Sequence, residues 1–253
     1  MVSDIIARIR KAASQVRRCG VEPFAAVALT HVPFILLLFS VLSTFLKEEL
    51  AIVLAPIGVC LFLALCLLAA LPMSVALSGY FIALAKERHP RLLSIFCVFS
   101  DMLQYRHALH TMLCAAVQSA LYVAFCALPL LLLPMLPAPL SAVVLAVCAA
   151  AMAVMLFNRL LAYAFTAHFA WEYPYLTPRE ALRLSVHITH KRRLALFGRL
   201  SPLVLLLLLT APTLGLLSLA VLPFFYALLA DYYLEFKACE GVSLPSPKEY
   251  AHV

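Results

Sequence analysis

Long apolar runs broken by short charged clusters dominate the chain. A bilayer core about 30 Å thick takes roughly 20 helical residues at about 1.5 Å each, so run length divides the sequence into elements. Residues 23–46 form a first predicted span. Lys47, Glu48 and Glu49 then turn the chain, and residues 50–85 carry no charge over 36 positions. That run is too long for one straight crossing, and Pro72 and Gly79 are the natural breaks. A second span is predicted at about 50–70, with 72–85 bending toward or along the interface.

No formal charge lies between Arg106 and Arg159, a stretch of 52 residues with room for two crossings. Pro134, Pro137 and Pro139 mark the turn, which predicts spans at about 111–133 and 140–160. Ala142, Ala146, Ala150 and Ala153 repeat at helical spacing in the second of these. Small residues so placed let a neighbouring backbone come close, and a central, tightly packed helix is expected. The final apolar region, 200–230, has 31 uncharged residues with Thr210–Gly215 near its middle. It reads either as one kinked span or as a hairpin; the hairpin, 194–210 and 216–234, is preferred because its arms are just long enough.

Composition puts this pattern in a class. The chain of 253 residues is 65% hydrophobic and only 12% charged, where soluble proteins carry about 25% charged residues. Mean hydropathy is +1.02. The expected fold is all-α: a polytopic transmembrane bundle of six spans with two basic amphipathic cytoplasmic helices, a single membrane domain. Of the 19 Lys and Arg residues, all but Lys47 fall in the segment 1–20, the loops 86–106 and 159–199, or the tail 237–253. The positive-inside rule puts these segments and both termini in the cytoplasm. The first apolar run follows a long basic region with no small-residue cleavage site, so an uncleaved helix is expected rather than a signal peptide. The eight cysteines lie mostly inside apolar runs without a Cys-x-x-Cys pair, the pattern of free thiols packed as small hydrophobes.

One stretch departs from this oily background: "LTPREALRLSVHITHKRRLALF", from Leu176 to Phe197. Thr177 and Glu180 make a capping box with Pro178 at the first helical position. Ala181, Leu182, Leu184, Val186 and Ile188 then share one face, opposite Arg179, Arg183, His187 and His190. A helix of this kind lies at the membrane interface, its apolar side on acyl chains or other helices and its basic side toward water. Trp171, Tyr173 and Tyr175 precede it as an aromatic belt. The loop after "KERHPR" repeats the plan more weakly, with Leu92, Leu93, Phe96, Phe99 and Leu103 near helical spacing.

"YPYLTPREALRLSVHITHKRRLALF" and "LLTAPTLGLLSLAVLPFFYALLADYY" resemble a bacterial family of polytopic membrane proteins known as domain-of-unknown-function family 975. The matching positions are Glu172 with Pro174, Glu180-Ala181-Leu182 with Ser185, Leu196-Phe197, Pro223-Phe224 and Tyr232-Tyr233. The similarity covers 160–235 and, less closely, 72–105. Glu172 stands where the family usually has Asp, and Tyr232 where Phe is common. The resemblance implies six spans and a plasma-membrane location, and no reaction.

His107 with His110, and His187 with His190, are spaced so that each pair shares a helix face, which in principle makes a four-imidazole metal site. Basic neighbours such as Arg106, Lys191 and Arg192 argue instead for interfacial polar residues. Arg159, Arg199 and Asp231 fall at cytoplasmic ends of spans, where Asp231 can pair with either arginine or the arginines can contact headgroups. With them, Arg183 and Arg192 are the candidate headgroup or ion-pair contacts. No catalytic motif is present and no cofactor is expected. Three classes of function remain open. The first is a non-catalytic scaffold, accessory subunit or lipid-organising factor resting on anionic headgroups, with a membrane protein as a further partner. The others are a small permease for an apolar or lipid-like substrate, and a lipid-modifying enzyme using Asp101, His107 and Asp231. No nucleic-acid partner is expected.

Overall fold

The computed structural model describes residues 2–45, 57–61, 64–127, 138–208 and 218–240. Among these, helix is the main regular structure and no strand occurs. The principal helices are α1 (Val2–Arg18), α2 (Glu22–Phe45), α3 (Leu71–Ala85), α4 (Met102–Ala127), α5 (Ala138–Ala162), α6 (Thr166–Glu172), α7 (Pro178–Thr189), α8 (Arg193–Leu208) and α9 (Ser218–Cys239). Four stretches among the described residues are long and apolar enough to cross a membrane: Leu68–Ala85, Met102–Phe125, Ala142–Glu172 and Ser218–Cys239. These lengths fit an integral membrane protein. The predicted turns at 47–49 and at Thr210–Gly215, Pro134 and Pro137, residues 50–56 and 62–63 of the 50–70 span, and most of the 237–253 tail lie outside the described residues. Cys19, Cys60, Cys97, Cys114, Cys148 and Cys239 are free.

The core gathers around α3 and α9. Leu77, Tyr80 and Phe81 from α3 are buried with Leu228, Tyr232, Tyr233 and Phe236 from α9, and Phe165, just before α6, and Phe169 within it join them. Phe165 and Phe169 both stack edgewise or tilted on the Tyr233 ring, at 5.7 and 5.2 Å. Helix α1 lays Ala12 and Val16 on this core and ends at Gly20, whose φ of +62° lets the chain turn into α2 without a Cβ clash. Arg199, near the start of α8, meets Glu235, near the end of α9, at 3.2 Å. The start of α8 therefore lies beside the end of α9, as Arg192 on Glu240 also shows.

Helix α3 corrects the expectation of an interfacial bend over 72–85. It is the best-buried of the membrane-length stretches, at 67% of Leu68–Ala85. Pro72 does not break it, because a π turn over Cys66–Ala70 leads in and Pro72 falls within the first turn of α3, where a missing N–H costs little. Gly79 is no break either. A Cβ there would overlap the indole of Trp171, so the glycine is a seat for that ring. Trp171 thus packs inward from α6 rather than lying in a headgroup belt. Tyr173 sits against Phe169 and under the Lys237 ammonium, 4.7 Å from its ring centre.

Helix α5 also differs from expectation. Ala142, Ala146, Ala150 and Ala153 are exposed, and no described side chain of α5 before Ala162 is buried. Small residues permit close approach but do not drive it, since lipid tails are as apolar as a helix face. The end of α5 is fastened by Phe157 on Phe197 at 4.6 Å, by Arg193 donating to Asn158 at 3.0 Å and by Arg159 on the Tyr122 ring of α4.

The second predicted amphipathic helix, at 92–103, is not continuous. Leu92–Phe96 is a 3-10 turn and Cys97–Ser100 a single helical turn. Asp101 is extended there, and its carboxylate accepts from Leu103 N–H at 2.9 Å to open α4. Local side-chain capping has won over continuation of the helix.

Candidate functional site

The site grows from α7. Thr177 has extended backbone, its hydroxyl accepts from Glu180 N–H, and the Glu180 carboxylate accepts from Thr177 N–H at 2.8 Å. The capping box starts the helix as the sequence predicts. Hydrogen bonds from the Thr177 backbone and then its hydroxyl hold the Glu180 carboxyl below its ordinary pKa, with a smaller contribution from Arg183. The one carboxylate of α7 is thereby turned back on the helix start.

Helix α7 buries Ala181, Leu182, Ser185, Ile188 and Thr189 against its neighbours, so its inner side rests on other helices. Ser185 secures the break between α5 and α6: its hydroxyl donates to Ala162 C=O at 2.8 Å and accepts from Phe165 N–H at 3.2 Å. A backbone that leaves one helix and starts another inside the protein must find such partners.

Its outer side carries Arg179, Arg183, His187 and His190, which with Leu182, Val186, Gln118 and Tyr163 line a groove of about 660 Å³. The Tyr163 hydroxyl donates to Gln118 Oε1 at 2.9 Å. Past that bond, Gln118 and Tyr163 also border a second hollow of about 340 Å³ with Leu121, Tyr122, Phe125 and Arg159. The Arg159 guanidinium lies 4.2 Å from the centre of the Tyr122 ring and also donates to Tyr163 Oη at 3.4 Å. Two hollows with shared walls therefore run from the basic face of α7 to the apolar sides of α4 and α5.

Charge gives the groove its character. None of the lining residues is acidic. Among the described residues, the side chains of Arg179, Arg183, His187 and His190 make no hydrogen bond or ion pair. Four donor-bearing groups thus face one space without a counter-charge inside it. A wall of this charge is suited to an anionic group.

The other candidates lie elsewhere. No group of three or more His, Cys, Asp or Glu side chains suited to a metal ion occurs among the described residues, so the two histidine pairs do not combine. His107 is half-buried with its Nε2 unbonded, whereas His110 is exposed. Asp231 pairs with neither Arg159 nor Arg199. It accepts from Arg8 at 3.0 Å and Lys11 at 2.6 Å, which share a face of α1. Arg199 takes Glu235, which Arg8 also approaches at 3.2 Å, and both arginines flank the Tyr232 ring. Arg192 pairs with Glu240 at 3.6 Å and lies over Phe236, tied to the end of α9. With Asp101 capping α4 and Asp231 held by α1, the triad Asp101, His107 and Asp231 has no shared site.

Sequence reasoning passed over one further cluster. Glu172 accepts from Lys86 at 2.8 Å, Lys237 at 2.7 Å and the Tyr233 hydroxyl at 2.6 Å, joining α6 to the end of α3 and to α9. Its signal was the acidic residue before Pro174 and the tyrosine pair, both read only as points of resemblance. Gln118 and Tyr163 were missed as well, since one polar residue in a span and one aromatic at a helix end give no pattern.

Comparison of the chain with protein-family models, with curated proteins and with solved structures gave no match.

Proposed function

We propose that this is a non-catalytic, lipid-organising protein of the plasma membrane, holding anionic headgroups against the basic face of α7. The observation that carries this reading is the set of unpaired Arg179, Arg183, His187 and His190 side chains lining one groove without an acidic wall. Anionic headgroups are the abundant polyanions at a cytoplasmic membrane surface, and a basic helix there gains about 1 kcal/mol per Lys or Arg.

Six spans fit this role, with both termini and the basic loops cytoplasmic. Support comes from the charge asymmetry, the start of α8 lying beside the end of α9 and the resemblance to family 975 over 160–235. The permease reading lacks support, because the groove lies at the side of α4, α5 and α7 and its polar groups stop at Gln118 and Arg159.

Native mass spectrometry of the full chain, extracted gently from its own membrane, tests the proposal. The expected result is the protein alone with anionic phospholipid bound. A stoichiometric protein partner and no retained lipid would replace this reading with that of an accessory subunit.

A further inference from the structure

The two hollows differ in chemistry, and the difference names a ligand. The larger is walled by cationic and imidazole donors. The smaller has Gln118, Tyr163 and Arg159 along one side, the last held on the Tyr122 ring, and Leu121, Tyr122 and Phe125 along the other, with Leu121 65% and Phe125 72% exposed on a hairpin that carries no charge between Arg106 and Arg159. Side chains so apolar and so open are solvated by acyl chains in a membrane protein.

We propose that the groove binds a single phosphate-bearing lipid, its phosphate between Arg179 and Arg183 and one chain laid over Leu121 and Phe125. This rests on the lipid-organising reading above and narrows it to one saturable site. Arg179 and Arg183 are four residues apart on α7, neighbours on one face, and two guanidinium forks match the oxygens of one phosphate. His187, one further turn along, adds a donor. Gln118 marks the boundary. Its carbonyl is held by Tyr163, while its amide N–H groups make no hydrogen bond among the described residues, leaving them to an ester carbonyl. A hollow of about 660 Å³ has room for a glycerophosphate head.

Full-length protein in neutral detergent, titrated with dioctanoyl phosphatidic acid and separately with inorganic phosphate, tests this. The expected result is one saturable lipid site, at least tenfold tighter than inorganic phosphate. Lipid binding falls at least tenfold in the R179Q/R183Q double variant and at least fivefold in L121W, which fills the chain hollow. Phosphate binding is unchanged in L121W. Equal affinity for lipid and free phosphate, with neither sensitive to L121W, overturns the chain slot and leaves the headgroup reading standing. Lipid binding unchanged in R179Q/R183Q overturns both. F125A keeps the test informative if L121W fails to fold, with the same fivefold loss expected and an unchanged affinity contradicting the slot.

Discussion

The Tyr163 hydroxyl donates to Gln118 at 2.9 Å, fastening the end of the α4–α5 hairpin to the middle of α4 where the groove passes from polar to apolar. The bond bridges 45 positions of sequence and leaves the Gln118 amide N–H groups without a hydrogen bond among the described residues. Loss of one such hydrogen bond costs about 1 kcal/mol. Tyr163→Phe should therefore release Gln118 and weaken binding of dioctanoyl phosphatidic acid by up to roughly fivefold, with a loss of stability no larger than about 1 kcal/mol. Calorimetric titration of the variant checks the first, and a melting curve the second.

Gly79 and Trp171 give a second test. A Cβ at position 79 would overlap the indole, and overpacking of this kind costs about 1–3 kcal/mol. Gly79→Ala should lower the melting temperature clearly. Trp171→Ala in the same chain should recover part of that loss, because the two substitutions act on one contact. Additive losses in a double-mutant cycle would remove the steric account.

Glu172 is expected to be the most costly single charge to lose. Its side chain is 19% exposed and accepts from two ammonium groups and a phenol. Hydrogen bonds to charged groups contribute about 1.5–3 kcal/mol each. Glu172→Gln should destabilise by about 2 kcal/mol or more, and Lys86→Met by less, since Lys86 is 39% exposed and part of its pairing is screened. Thermal melts of both variants rank them.

The capping box makes α7 sensitive to acid. Glu180 has a folded pKa below its unfolded value, so its contribution is present above the unfolded pKa of about 4.3 and is lost as pH falls through the folded one. Hydrogen exchange at the amides of Thr177, Glu180 and Ala181, which the capping box and first turn bond, should therefore stay slow at neutral pH and, after correction for intrinsic rates, lose protection on acidification below about 4. Thr177→Ala should remove about 1 kcal/mol of the same protection at neutral pH.

The docking of α1 rests partly on Arg8 and Lys11 reaching Asp231. Lys11 is half exposed, so salt weakens its share of the contact. Asp231→Asn should speed limited tryptic cleavage at Arg10 and Lys11 several-fold at low salt, and the difference from wild type should shrink in high salt.

These relationships divide by sequence distance. The Thr177–Glu180 box lies three residues apart, and its chemistry could be read from the chain because a capping box is a local motif. The apolar face of α7 was legible for the same reason, although Ser185 and Thr189 replaced Leu184 and Val186 in its buried part. Arg8–Asp231 spans 223 positions, and nothing in the local pattern of either residue names the other. Gly79 and Pro72 show a different limit. Each has a default meaning as a breaker, and tertiary packing gave each another use, as a seat for Trp171 and as a first-turn residue. The basic wall of the groove was legible as charge at helical spacing. Its opposite wall, Gln118 and Tyr163, depends on how α4 meets the end of α5, which the sequence does not encode locally.

The central claim is that the unpaired face of α7, rather than positive charge in general, holds anionic lipid. Native mass spectrometry of wild type, R179Q/R183Q and R192Q, each extracted under the same mild conditions, tests it most directly, since Arg192 carries the same charge but is paired with Glu240. The account predicts anionic lipid retained by wild type and R192Q and lost from R179Q/R183Q. Equal retention by all three, or equal loss from both variants, would contradict it.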